Sequence, residues 1–170
     1  MTEDGARADH PARVLFVCRA NVCRSPMAEA IFNAVAEDGG LPYRAASAGV
    51  AALVDEDMAP NARAALEEVG IYAGGHRARQ VGEAMMGDAD LVLAMSPRQV
   101  AALRQRFGAP PDRVHALPGY ALGAPPEEGI PDPYGHTITA YRASVRQLLE
   151  CVEGLVGRLE REGAPMKGFW

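Results

Sequence analysis

The run Val14-Leu15-Phe16-Val17-Cys18, followed by Arg19-Ala20-Asn21-Val22-Cys23-Arg24-Ser25-Pro26, constrains this chain more than any other segment. Val14–Val17 is too short and too rich in β-favouring residues to be a helix, so it reads as a buried strand. Ser25 is a good N-cap and Pro26 a good first helical residue, because the N–H that proline lacks has no helical partner there. The chain therefore runs strand, short loop, helix. A loop in that place sits at a helix N-terminus, where unpaired N–H groups and the helix dipole attract an anion.

Two residues of the loop carry chemistry. A cysteine near a helix N-terminus and a guanidinium is favoured as the thiolate, which is the nucleophilic form. Arg24 offers a planar fork that matches two phosphate oxygens and is charged at any working pH. Cys18 and Arg24 could thus engage one phosphoryl group, one below the phosphorus and one at its rim. Cys-x5-Arg alone recurs by chance; its place between a strand and a capped helix gives it weight.

The remaining chain alternates in the same way. Strands are expected at Val14–Val17, Tyr43–Ser47, Leu91–Met95 and Arg113–Leu117, and helices at Met27–Ala36, Asn61–Val69, Arg98–Phe107 and Thr137–Leu159. Gly70 and Gly108 read as helix stops and Ser96-Pro97 as a start. The last helix lines up Val145, Leu148, Leu149, Val152, Leu155, Val156 and Leu159 on one face, with Cys151 at its border as a buried structural thiol. Met85-Met86 reads as packing under a short connecting turn. This alternation predicts an α/β fold, a parallel sheet with helices on both faces in three layers. A length of 170 residues suits one domain. We expect it to span 13–161, with 1–12 a disordered leader and 162–170 a flexible tail.

Composition narrows the function classes. A formal net charge of −5 argues against general nucleic-acid binding. No segment is long and apolar enough to suggest a membrane span or a signal peptide, so no membrane partner is expected. Three cysteines, two of them in one loop, do not make a secreted disulfide framework, and a reducing cytoplasm is the expected compartment.

A thiolate that attacks a phosphate ester needs an acid for the departing oxygen. The segment from Pro118 to Gly135 is long for a connection in a compact domain, as binding loops are. Inside it, Pro131-Asp132-Pro133-Tyr134 is stiffened on both sides of the carboxylate. An anionic phosphate nearby would favour the protonated acid, which makes Asp132 the candidate. As a bare motif, Asp-Pro is equally a common turn pair.

At this point the chain resembles the low-molecular-weight protein tyrosine phosphatases. The resemblance rests on Val17-Cys18 through Arg24-Ser25-Pro26-Met27-Ala28-Glu29, on Ser47-Ala48-Gly49, on His76-Arg77-Ala78-Arg79-Gln80, on Asp90 through Met95, and on Asp132-Pro133-Tyr134. It implies a four-stranded parallel sheet and a mechanism that needs no metal and no cofactor. Cys18 would form a phosphocysteine, Arg24 would clamp the phosphoryl oxygens, and Asp132 would act first as acid and then as base for water. Arg19, Ala20, Asn21, Val22, Cys23 and Ser25 would complete the phosphate loop. Asn21 would hold a left-handed backbone, Ser47 and His76 would support it, and Ser25 would hold the thiolate. Cys23 matches a cysteine able to form a reversible disulfide with the nucleophile; the other reading is a small buried filler.

Three departures bear on the substrate. Ala20 stands where the family usually has glycine, which would cost about 1 kcal/mol if that position needs positive φ. The stretch Val50-Ala51-Ala52-Leu53 lacks the aromatic that many members place at the pocket lip, leaving Tyr134 as the aromatic of the wall. Val22 occupies a place that is branched and apolar in tyrosine-directed relatives and threonine in protein-arginine phosphatases. Valine favours phosphotyrosine over phosphoarginine, because losing a needed hydroxyl discriminates more strongly than losing a methyl group. The expected partner is a phosphorylated protein, phosphotyrosine first and phosphoarginine as the alternative. Rival classes are a non-catalytic phosphopeptide-binding module and a phosphocysteine carrier; keeping both Cys18 and Asp132 speaks against each. A cysteine relay for arsenate reduction is disfavoured because no cysteine lies between Cys23 and Cys151.

Overall fold

The computed structural model describes residues 12–165. Four strands, β1 (Ala12–Cys18), β2 (Tyr43–Gly49), β3 (Leu91–Ala94) and β4 (Val114–Ala116), form one sheet in the order β2-β1-β3-β4. Every pairing is parallel, with Phe16 opposite Ser47 and Leu93, and Leu93 opposite His115. Parallel neighbours require crossovers, and four helices lie in them, α1 (Arg24–Asp38), α2 (Pro60–Glu68), α3 (Glu83–Asp88) and α4 (Pro97–Phe107), while α5 (Leu117–Leu122) and α6 (Ile138–Glu162) follow β4.

The two-residue period of a strand divides β1 between two cores. Val14, Phe16 and Cys18 face α1, α2, α5 and α6, whereas Leu15 and Val17 face α3 and α4. Both layers are closed to solvent: Phe16, Phe32, Leu93 and Leu148 on one side and Val17, Ala94 and Leu103 on the other are fully buried. The expected stripe on α6 packs into the first core, joined by Tyr141 and by Cys151, which is wholly buried as expected of a structural thiol.

Several expectations need correction. Strand β1 begins at Ala12, inside the expected leader, and α6 extends through Glu162, inside the expected tail; the rest of the leader and residues 166–170 lie outside the described residues. Helix α1 starts at Arg24 with Cys23 in the cap position, so Ser25 is not the N-cap and Pro26 is not the first helical residue. The serine hydroxyl is engaged elsewhere, as described below, and cannot cap. Met85 and Met86 lie in the short helix α3 rather than under a turn. The fourth strand ends at Ala116, and α5 takes up the first third of what read as a long loop. Ser96 does cap α4, accepting from the Gln99 N–H, and Gly108 ends it with φ of 58°.

In this order β1 has β2 on one side and β3 on the other. Its carboxyl end is therefore the point where the winding reverses, and a crevice opens there. Cys18 is the last residue of β1.

Candidate active site

Carbonyl accounting shows what the loop after β1 presents. The Cys18, Arg19 and Ala20 carbonyls accept from the N–H groups of Val50, Ala51 and Leu53, at 3.0, 2.8 and 3.0 Å. The Asn21 carbonyl meets His76 Nε2 at 2.8 Å, so that nitrogen carries the proton, and the Val22 carbonyl accepts from Ala59 N–H at 2.9 Å. Successive carbonyls are thus all drawn outward. In a planar trans peptide the N–H points opposite to its carbonyl, so the amides of residues 19–23 turn toward the inside of the loop. A ring of inward N–H groups at the start of a 15-residue helix is an anion cradle.

Asn21 makes this ring possible. It has φ of 60°, a left-handed conformation asparagine tolerates. Its amide donates to Ser25 Oγ at 2.8 Å and Ser47 Oγ at 3.0 Å, and its Oδ1 accepts from Arg79 N–H at 3.0 Å. Among the described residues the other non-glycine position with positive φ is Asp55, so Ala20 carries no such strain. Gly49 packs directly beneath: a Cβ there would sit 2.5 Å from the Arg19 carbonyl oxygen, and only glycine allows that approach.

Cys18 lies at the centre of the cradle, buried, with Ser25 Oγ 2.8 Å from its sulfur and the Asn21 N–H 3.3 Å from it. Ser25 Oγ accepts from the Asn21 amide, so its own hydroxyl hydrogen points either to the sulfur at 2.8 Å or to the Ala48 carbonyl at 3.4 Å, and a thiolate would draw it to the sulfur. Arg24 is 6% exposed. Its Nη1 donates to the Ile130 carbonyl at 3.0 Å, and its Nη2 lies 3.4 Å from Asp132 Oδ2. Among the described residues its buried Nε has no hydrogen-bond partner, which leaves it a free donor. Asp132 is held by the Tyr134 N–H at 3.1 Å, and its carboxylate remains half-exposed at the mouth.

These groups line one cavity of about 280 Å³, with Cys18, Arg19, Ala20, Cys23, Arg24 and Asp132 around its base and rim and Val22, Ala51, Leu53 and Tyr134 as walls. The fold thus brings together Cys18, Arg24 and Asp132, the last from a segment more than a hundred residues away. Ser47 and His76 stand behind the loop, touching Asn21 rather than the cavity.

Four further residues take part, three of them in stretches already quoted for the resemblance but given no role there. Leu53 occupies the lip where an aromatic was found wanting, and Ala51 lies beside it. Gln80 pins that lip, accepting from Ala52 N–H and donating to the Val50 carbonyl. Tyr141 Oη lies 3.5 Å from Cys23 Sγ. Gln80 stood inside a quoted motif and was legible; Tyr141, in a helix facing the core, was not. Burial pushes the Cys23 thiol up to about 11, against the lowering contact with Tyr141. No group of three or more His, Cys, Asp or Glu among the described residues is arranged to hold a metal ion. No helix among them is long and apolar enough to cross a membrane.

A buried cysteine in a ring of amides, with an arginine and a carboxylate over it, defines the class of cysteine-based phosphoryl-transfer enzymes. Comparison with known proteins agrees. Residues 13–165 match the low molecular weight phosphotyrosine protein phosphatase family, and the chain belongs to it and is a phosphatase. It is similar to a protein-arginine-phosphatase of Bacillus subtilis (strain 168), 37% identical over 149 residues, 88% of this chain and 97% of that protein. A low molecular weight protein-tyrosine-phosphatase of Streptomyces coelicolor is 40% identical over 130 residues, 72% of this chain and 77% of that one. Among solved structures, a Cys-to-Ser mutant of the YwlE arginine phosphatase with a phosphorylated active-site serine superposes with a TM-score of 0.83. It is 36% identical and covers 88% of this chain and 97% of its own.

Proposed function

We propose that the chain hydrolyses phosphotyrosine in proteins through a phosphocysteine intermediate. The observation that carries this is the loop in which residues 19–23 turn their amides inward around the Cys18 sulfur, beside the unpartnered Nε of Arg24. Cys18 attacks the phosphorus as the thiolate, its charge supported by the Ser25 hydroxyl and the Asn21 N–H. Arg24 and the amide ring hold the non-bridging oxygens, and hold them best when charge builds on them in the transition state. Asp132 gives its proton to the departing tyrosyl oxygen. In the second step its carboxylate takes a proton from water, which attacks the phosphocysteine and releases phosphate and the Cys18 thiolate. Ser47 and His76 keep Asn21 in place.

Val22, 4% exposed and part of the wall, supports phosphotyrosine: its apolar face suits a flat ring, and Leu53 and Tyr134 extend that surface. The second reading, a protein-arginine phosphatase, is favoured by the protein-arginine-phosphatase relative and by the Asp132-Pro133-Tyr134-Gly135 run. Cys23 is the proposed redox partner. Once a hydroperoxide has oxidised Cys18 to a sulfenic acid, attack by the Cys23 sulfur closes a disulfide, and its thiol proton leaves with the sulfenic hydroxyl as water. A reducing cytoplasm is the compartment this thiol chemistry requires.

The test is kcat/KM on a phosphotyrosine peptide and a phosphoarginine peptide side by side. The expected result is a preference for phosphotyrosine of roughly 10²-fold or more, with a lost or mismatched polar partner as its cause. Cys18→Ser should abolish turnover yet still bind inorganic phosphate, and Asp132→Ala should lower kcat by roughly 10²–10⁴-fold. A preference for phosphoarginine would overturn the role given to Val22; normal turnover by Cys18→Ser would overturn the mechanism.

A further inference from the structure

A second groove, of about 500 Å³, adjoins the catalytic cavity. Val22, Leu53 and Tyr134 line both, so the two are separated by one shared wall. A protein whose phosphorylated side chain enters the first must lay its neighbouring residues toward the second. An extended chain advances about 3.3 Å per residue, which puts positions two or three residues away about 7–10 Å from the phosphorylated one.

The groove's chemistry is one-sided. Glu56 and Asp57 reach it from the loop before α2 and Glu67 from α2 itself. Among the described residues the one cation lining it, Arg63, is paired with Asp57. That hydrogen bond holds the Asp57 carboxyl below the usual carboxylate range, so the pair persists in mild acid. Glu56 and Glu67 form no ion pair among the described residues. Between these carboxylates lies apolar surface from Pro60 and Ala64. Apolar surface ending in unpaired carboxylates fits a lysine or arginine, whose stem lies along hydrocarbon while its head stays at the charged edge.

We propose that this groove is a specificity subsite that takes a lysine or arginine flanking the phosphorylated residue of the substrate, with Glu56 and Glu67 as its recognition groups. The proposal rests on the protein phosphatase reading. Exposed charge pairs are individually weak and screened by salt, so the preference is a modest one, carried by KM.

The experiment uses peptides that differ only in one residue (lysine, alanine or glutamate) at each of three positions on either side of the phosphoresidue. They are assayed on the unaltered protein and on the Glu56→Gln, Glu67→Gln double variant, with p-nitrophenyl phosphate as the small substrate. We expect the lysine peptide at one flanking position to be preferred over its glutamate counterpart by roughly 3–10-fold, as two exposed pairs allow. The double variant and high salt should both remove most of that preference and leave p-nitrophenyl phosphate turnover unchanged. Equal rates for all flanking residues, or a preference that survives the double variant, would overturn the subsite while the phosphatase reading stands. No turnover of p-nitrophenyl phosphate or of any peptide would overturn both.

Discussion

Valine and threonine have nearly the same shape, so Val22→Thr isolates a single hydroxyl in the wall of the catalytic cavity. If the wall recognises an aromatic ring, the substitution should leave phosphotyrosine kcat/KM within about 5-fold, since a shape-conserving change at an apolar contact is worth only about 1 kcal/mol. The same hydroxyl should raise phosphoarginine turnover by roughly 10-fold or more, one polar partner gained for a polar group. Parallel assays on the two peptides check this, and an unchanged ratio would mean that specificity is set elsewhere on the wall, at Leu53 or Tyr134. This residue was legible in the sequence because it lies inside the Cys-x5-Arg loop. Leu53 was legible only through the resemblance that sets Val50-Ala51-Ala52-Leu53 at the lip: it enters the cavity because its N–H bonds the Ala20 carbonyl, a contact between segments that no local pattern announces.

The loop after β1 behaves as one element whose conformation is imposed from outside. Five carbonyls are held by partners on three other segments, and the Asn21 side chain ties Ser25, Ser47 and Arg79 together at its centre. Asn21→Ala would leave the Arg79 N–H without its acceptor and put an alanine at φ of 60°. Losing a buried partner and the tolerance for left-handed backbone should together cost roughly 2–4 kcal/mol. Urea unfolding should show a lower midpoint with unchanged slope, and kcat should fall with it as the amides lose their aim. A variant as stable and as active as the unaltered protein would show that the loop holds its shape without this hub. The helix start was misread for a related reason. Ser25-Pro26 carries the usual start signal, but here the hydroxyl is held by Cys18 and Asn21, and α1 begins two residues earlier without a side-chain cap. Helix α5 was hidden because Pro118 and Gly119 punctuate Leu117-Pro118-Gly119-Tyr120-Ala121-Leu122, and six residues are too few to display a period.

At the scale of the whole molecule, two thiols couple the fold to pH. Burial raises Cys23 and Cys151 from about 9.0 in the open chain to about 11. The folded protein keeps protons that the unfolded chain releases between those values, so stability is intact below pH 9 and declines as pH rises toward 11. Thermal unfolding at pH 8, 10 and 11 should show this loss, and it should be smaller in a Cys23→Ala, Cys151→Ala variant when each protein is compared with itself at pH 8. A pH dependence identical in the two proteins would assign the alkaline loss to other groups. The same burial predicts slow alkylation of both thiols near pH 7, when little thiolate is present.

Local chemistry is enough to read the class of fold, the strand–loop–helix at the start, and the residues proposed as nucleophile, clamp and acid. Those depend on side-chain type, on period and on spacing within a few residues, all of which are written along one line of sequence. The order of the strands, the meeting of Asp132 with Arg24, the wall contributed by Leu53 and the acidic groove behind it depend on which segments become neighbours. That is settled by how two apolar faces of one sheet are covered, a property of the assembled core and not of any stretch of chain.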